Sequence, residues 1–353
     1  MQLFNKKILF SSILFLIFSL LGFASRASSD ENEFFDLDQS EVSVIKSLID
    51  PLTIKRYVEK NFALEGGIKS AFLSQGVNDI YLIETRGAKY ILRLSRADKY
   101  TTMTQAEFLF ELNWLDFLHQ QQVPVSYPVR RIDKHLCGLI QAPEGPRYAT
   151  LFSYAEGTTV MNVEQALILG KALAELHAAS DRYEGSIDCV NLDIDHLLYQ
   201  PVQRIKDFLN GAYPEKCAYL DVLVEQLFQY ISTMEITKGG VGIIAGDVHG
   251  YNQHFTAGNQ LTLFDFEFCA KGYRLYDIAT FKWCRGADVE LWHAFLEGYQ
   301  SVRTLTEAEI EGIAIFVKVR NLWWMGALTQ LSESSYKLDR KFWERAFAQF
   351  NQG

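Results

Sequence analysis

Between Ile243 and Glu267 the chain places Asp247, Asn252 and Asp265 within nineteen residues of one another, and that block limits what the rest of the sequence can build. The run Val241 to Ile244 reads as a buried strand that delivers Asp247 into a loop. Asn252 to Thr256 and Leu261 to Asp265 read as two further strands around Ala257-Gly258-Asn259-Gln260. A Gly-Asn pair favours a two-residue hairpin turn. With the turn centred between Gly258 and Asn259, Asn252 and Asp265 stand directly opposed on one face, their Cβ atoms roughly 4.5–5.5 Å apart. One cation could touch both. Moving a phosphoryl group from ATP asks for a carboxylate that orients the acceptor hydroxyl and for oxygen ligands to magnesium. Asp247 can supply the first, and Asn252 and Asp265 the second, so the spacing predicts a phosphoryl-transfer site.

Gly246-Asp247-Val248-His249-Gly250 also fits the first metal motif of two-metal phosphoesterases, which need further Asp, Asn and His ligands to close their site. Downstream there is no second Gly-Asp motif and no Gly-Asn-His, and only His254 and His293 remain as histidines. Turn capping would account for Asp247 and Asp265 singly, but not for their joint register.

The order of Asp247, Asn252 and Asp265-Phe266-Glu267 resembles the catalytic loop and metal-binding triplet of the kinase-like fold. It is more closely similar to the aminoglycoside phosphotransferase and choline kinase family, whose pattern is H-G-D-x-H-x-x-N, then D-F-D and D-L-A. Gly246-Asp247-Val248-His249 and Asn252 match, Glu267 is the third member of the triplet, and Asp277-Ile278-Ala279 matches the last element. Ala245 stands where that family carries a His that supports the loop, so this departure bears on rigidity more than on chemistry. The resemblance covers about residues 66 to 330. It implies an α+β, bilobal protein-kinase-like fold, with a small N-terminal antiparallel sheet lobe carrying a helix and a larger, mainly helical C-terminal lobe. It also implies ATP and Mg2+ as cofactors, Asp247 as the catalytic carboxylate, and Asn252, Asp265 and Glu267 at the metal.

A sheet lobe upstream should then hold the nucleotide. Ile68 to Ser74 and Asp79 to Thr85 alternate as strands do, and Gln75-Gly76-Val77-Asn78 is a candidate phosphate-facing turn, with Gly76 permitting close backbone approach. In Lys89 to Ser95, Tyr90, Leu92 and Leu94 share one face, and Lys89, Ile91, Arg93 and Ser95 the other. By the resemblance, Arg93 falls where the family has its phosphate-contacting Lys; a surface arginine on an edge strand is the competing reading. Apolar residues recur at helical spacing at Phe108, Leu112, Leu115 and Leu118. The resemblance puts the acidic partner of Arg93 at Glu111, with Glu107 the alternative. It also likens the segment Leu151 to Gly157, with Phe152 and Tyr154, to the hinge that binds adenine. Asn162 can cap a helix through Leu169 to His177, and the resemblance, whose matching stretch is a core helix, implies that His177 is structural rather than catalytic.

Tyr276 to Trp283, Val289 to Gln300, Glu307 to Ser332 and Lys341 to Phe350 read as helices with apolar stripes. Their tryptophans, Trp283, Trp292, Trp323 and Trp324, fit either core packing or an aromatic cage for a quaternary ammonium. Asp188, Asp193 and Asp195 fit either solvated turns or the lining of a cationic acceptor pocket.

A length of 353 residues with 48% hydrophobic composition supports a large core, and a net charge of −9 argues against a nucleic-acid partner. Five cysteines without paired spacing give no disulfide framework. Lys6-Lys7, the apolar run Ile8 to Ala24 and the small residues after it resemble a secretory signal or an anchor, which conflicts with a need for ATP. An ATP-containing compartment, the cytoplasm, is therefore favoured, with export or anchoring through residues 8–24 as the alternative and no membrane partner otherwise.

The expected organisation is a signal-like segment (1–28), a linker with N-terminal helices (29–65), a nucleotide-binding lobe (66–154) and a helical lobe with the catalytic and metal loops (155–353). The expected activity is ATP-dependent phosphorylation of a hydroxyl on a small molecule such as an amino-alcohol, an aminosugar or a homoserine-like compound. The competing readings are a nucleotide-binding pseudokinase and a protein Ser/Thr kinase of the same fold.

Overall fold

The computed structural model describes residues 43–99, 103–331, 338–348 and 350; the signal-like segment 1–28 lies outside them. Helix α1 (Pro51–Asn61) starts at Asp50, whose side chain accepts from the Leu52 N–H, with proline at the first helical position. Behind it lies a five-stranded antiparallel sheet of β1 (Lys69–Gln75), β2 (Asp79–Glu84), β3 (Lys89–Leu94), β4 (Gly138–Ala142) and β5 (Gly145–Ser153), in the order β1-β2-β3-β5-β4. Strand alternation divides its side chains between two cores. Leu92 and Leu94 of β3 and Ala149 and Leu151 of β5 pack with Ile54 and Val58 of α1. Ile91, Tyr148 and Phe152 face the larger core, which continues into the helical lobe.

Helix α2 (Gln105–Gln120) lies on that second face and buries Phe108, Leu112, Leu115 and Leu118, as their spacing predicts, together with Trp114 and Glu111. The helical lobe contains α3 (Val163–Ser180), a π-helical turn (Asp195–Tyr199), α4 (Gln200–Leu209), α5 (Pro214–Thr233), α6 (Arg274–Arg285), α7 (Val289–Gln300), α8 (Glu307–Leu331) and α9 (Arg340–Ala348). Helices α3 and α7 meet through reciprocal glycines. A Cβ added at Gly170 would lie 1.9 Å from the Phe295 carbonyl, and one at Gly298 would lie 2.0 Å from that of Leu167. Among the described residues no helix is long and apolar enough to cross a membrane, and all five cysteines are free thiols.

Two small sheets carry the polar block. Strands β6 (Asn191–Leu192), β10 (Ala270–Tyr273) and β7 (Val241–Ile244) form one, in the order β6-β10-β7, and the hairpin of β8 (Gln253–Phe255) and β9 (Leu261–Leu263) forms the other. The hairpin register differs from the predicted one by one residue. Gln253 pairs with Leu263, and the Thr256 N–H donates to the Gln260 carbonyl, so the loop has three residues, Ala257, Gly258 and Asn259. Asn259 takes the left-handed conformation (φ 59°), which asparagine tolerates and which closes a three-residue hairpin. Asn252 therefore stands opposite Phe264, whose N–H donates to its carbonyl at 3.0 Å, and not opposite Asp265. Asp265 follows at φ 63°, where the chain has already left the strand, so this bend and not the pleat aims its carboxylate.

Candidate active site

Strand β7 runs into Ala245, Gly246 and Asp247, and a buried carboxylate fixes this turn. Asp277, near the start of α6, accepts from the Ala245 N–H at 2.8 Å and the Gly246 N–H at 2.7 Å. His177 on α3 stands behind it, with Nε2 3.0 Å from the Asp277 carboxylate and Nδ1 2.9 Å from the Tyr299 hydroxyl. Because a carboxylate only accepts, Nε2 donates to Asp277, and Nδ1 accepts from Tyr299. Gly246 has φ +81°, and a Cβ there would fall 2.0 Å from the Phe268 carbonyl, so no other residue fits. Loop support thus comes from Asp277 without help from the Ala245 side chain, and His177 is structural, as the resemblance implies.

Burial pushes the His177 pKa below its usual 6.5, against the pull of Asp277. The folded protein keeps the ring neutral while the unfolded chain takes up a proton near pH 6.5, so acid shifts the balance toward unfolding. Between about pH 7.5 and about pH 5.5, wild-type protein is expected to lose more stability than His177→Gln, measured by urea unfolding at both pH values. Equal losses would remove His177 as the source.

Asp247 is held on both oxygens. Arg320 Nη2 donates to Oδ1, while Asn252 Nδ2 lies 3.3 Å from Oδ2 and 3.1 Å from the Asp247 carbonyl. The Asn252 amide nitrogen is thereby engaged, which leaves its oxygen as the atom for a cation. Asp265 reaches solvent, yet the surrounding protein strips enough water from it to push its carboxyl up to about 6, with Glu267 and Asp247 adding repulsion and Arg93 opposing. Glu267 forms an ion pair with Lys99 and accepts from Asn78 Nδ2. Burial works against its ionisation, but Lys99 and Arg93 outweigh that and hold it below the usual carboxylate range. Asp265 is repelled by Glu267 and by Asp247, and a hard cation would relieve that repulsion. Among the described residues no three His, Cys, Asp or Glu side chains converge to hold an ion by themselves. Magnesium suits such a place because it keeps waters and takes phosphate oxygens alongside one or two carboxylates.

On the sheet side, Arg93 is buried and meets Glu111 through a two-pronged contact, Nη1 to Oε1 at 2.9 Å and Nη2 to Oε2 at 2.6 Å. It is therefore not a surface arginine. Glu107, the alternative partner, is engaged at the start of α2, where its carboxylate accepts from the Thr104 N–H and its own N–H donates to the Thr104 hydroxyl. The Phe152 ring covers the Arg93 guanidinium at 4.8 Å, and Lys89 lies 5.3 Å from the Tyr154 ring. Gly76 is exposed in the β1–β2 turn, where a Cβ would meet only the Asn78 carbonyl at 3.9 Å, so the chain's own packing does not require glycine.

The sequence does not single out Arg320 or Lys99, and it marks Asn78 only as the last residue of the Gln75-Gly76-Val77-Asn78 turn. Arg320 did leave a signal, since a guanidinium in an apolar helix with Trp323 and Trp324 three and four residues on has rings on its own face. Lys99 lies in a short helical segment after β3, where nothing local marks it.

Residues 70–311 match the family model described as Phosphotransferase enzyme family. An uncharacterized protein of Synechocystis sp. is 33% identical over 316 residues, covering 87% of this chain and 86% of that protein. A homoserine kinase of Chelativorans sp. is 28% identical over 255 residues, covering 68% of this chain and 73% of the kinase. Among solved structures, a microcompartment-associated aminopropanol kinase superposes with a TM-score of 0.69 at 21% identity, covering 84% of this chain and 93% of that one. The kinase-like fold, the paired loops around Asp247 and Asp265 and the match over residues 70–311 agree, and the chain belongs to the phosphotransferase enzyme family.

Proposed function

We propose that this kinase transfers the γ-phosphoryl group of Mg-ATP to a hydroxyl of a small molecule, with a homoserine-like amino acid or a small amino-alcohol as acceptor. The arrangement of Asp247 carries this reading: one oxygen is fixed by Arg320, and the other lies beside Asn252, near the charge of Asp265. In this role Asp247 orients and deprotonates the acceptor hydroxyl, and Asn252 and Asp265 hold the magnesium that bridges the phosphates. Arg93, steadied by Glu111, faces the phosphates, and the Phe152–Tyr154 segment faces the adenine. A cation at Glu267 would share the carboxylate with Lys99 and Asn78.

Two observations narrow the acceptor. Trp283, Trp323 and Trp324 surround Arg320, and Trp292 packs against Phe295 with Lys282 over its ring, so these four tryptophans offer no empty cage to a quaternary ammonium. Asp193 and Asp195 are exposed and make local bonds to His196 and Gln200, and Asp188 to Ser186, which suits turns better than the lining of a polycation pocket. The reaction requires an ATP-containing compartment such as the cytoplasm.

The test is purified protein with Mg-ATP and a panel of homoserine, aminopropanol, choline and aminosugars, with phosphorus NMR reporting transfer. ATP binding without phosphorylation of any acceptor would sink the reading. Asp265→Ala is expected to shift the magnesium dependence of turnover to at least about tenfold higher concentration, the lower end of what even a metal's outer-shell partners contribute. An unchanged titration would contradict the role given to Asp265.

A further inference from the structure

We propose that Arg320 on α8 is a positioning residue for phosphoryl transfer, setting the orientation of Asp247, and that the box of Tyr276, Trp283, Trp323 and Trp324 serves to hold this guanidinium. The inference rests on the reading of Asp247 as the carboxylate that orients the acceptor hydroxyl.

The Arg320 side chain is 1% exposed and its partner Asp247 13%. Withdrawing a guanidinium from water is costly unless charge and hydrogen bonds replace the hydration. Here Nη2 donates to Asp247 Oδ1, while Nη1 donates to the Gly246 carbonyl at 3.3 Å and to the Tyr276 hydroxyl at 3.0 Å. The guanidinium carbon lies 4.9 Å from the Trp323 ring centre, 5.4 Å from Trp283, 5.7 Å from Tyr276 and 5.9 Å from Trp324, all within reach of cation–π attraction. Nε is buried without a partner. That orphan atom indicates that side-chain position is set by the terminal nitrogens and the rings.

One rigid fork thus reads the backbone of Gly246 and the side chain of Asp247 together. It locks the carboxylate against its own main chain, which the single point charge of lysine cannot do. With Oδ1 engaged by the charged fork, Oδ2 carries the weaker ties, Asn252 Nδ2 at 3.3 Å and His249 Nε2 at 3.6 Å, and is the oxygen for the acceptor.

The experiment uses the full-length protein with Arg320→Lys, Arg320→Met and Arg320→Ala, measured for Mg-ATP binding, for turnover with the best acceptor or with water, and by crystallography. Arg320→Met is expected to lower kcat by about a hundredfold, the scale of a misplaced reacting group, with Mg-ATP affinity within about twofold of wild type. Arg320→Lys should fall between the two. Dilute guanidinium chloride should restore part of the Arg320→Ala activity, and sodium chloride at equal ionic strength should not. A kcat for Arg320→Met within about twofold of wild type would overturn the proposal. So would an Asp247 side chain that keeps its orientation in the crystal structure of that variant, or equal rescue by both salts. If Arg320→Met fails to fold, the Lys variant and the salt comparison decide. If wild-type protein transfers phosphate to nothing, water included, the kinase reading fails, and the orientation of Asp247 in the variant crystals still decides the role of Arg320.

Discussion

Replacing Asp247 by asparagine is expected to reduce turnover by at least about a hundredfold, the contribution of a positioned general base, while Mg-ATP affinity stays within about threefold of wild type. Asparagine keeps the size of the side chain and can still accept from Arg320 through its amide oxygen, so the loop retains its path. It cannot take the acceptor's proton. The same change removes the counter-ion of a buried guanidinium, so thermal unfolding should also shift downward, by an amount on the order of 3 kcal/mol. Paired measurements of kcat and nucleotide affinity well below the unfolding temperature separate the two effects. An Asp247→Asn protein with wild-type turnover would remove Asp247 from the chemistry.

Asp277→Ala is the second large effect, and it acts first on stability. The Asp277 carboxylate accepts from two backbone N–H groups of the turn that carries Asp247 and from His177, all within the core. Alanine leaves those donors buried without partners, and a loss of about 3–5 kcal/mol follows from hydrogen bonds to a charged group at about 1.5–3 kcal/mol each, less some relaxation. Asp277→Asn keeps one accepting oxygen and should fall between alanine and wild type. Denaturant midpoints of the three proteins test the order, and an alanine variant within about 0.5 kcal/mol of wild type would show that the turn is held by other contacts.

Much of the architecture was legible in the sequence because local pattern and tertiary role agreed. The alternation in Lys89 to Ser95 places Leu92 and Leu94 against α1 and turns Arg93 toward α2. The stripe through Phe108, Leu112, Leu115 and Leu118 is buried as its spacing predicts. Pairing Arg93 with Glu111 came from resemblance alone. The capping of Thr104 by Glu107 supplies the physical reason that the other candidate was not free. The hairpin register is not legible because a Gly-Asn pair serves two loop lengths; the Thr256–Gln260 closure, with Asn259 left-handed and Gly258 not, selects the longer one. Arg320 lies 73 residues from the carboxylate it holds, a separation at which no periodicity carries information. The tryptophans show the same limit: ring spacing revealed aromatic faces on one helix, but the cation they surround belongs to the chain itself.

The ties of Glu267 to Lys99 and Asn78 join the loop after Asp265 to one end of the upstream sheet, where Asp79 pairs with Leu94. If Glu267 takes the metal role proposed above, the cation and these two side chains share one carboxylate. Reciprocity between coupled equilibria then makes the two attachments one constant: whatever factor the ion contributes to the strength of the Glu267 contacts with Lys99 and Asn78, those contacts return to the ion's affinity.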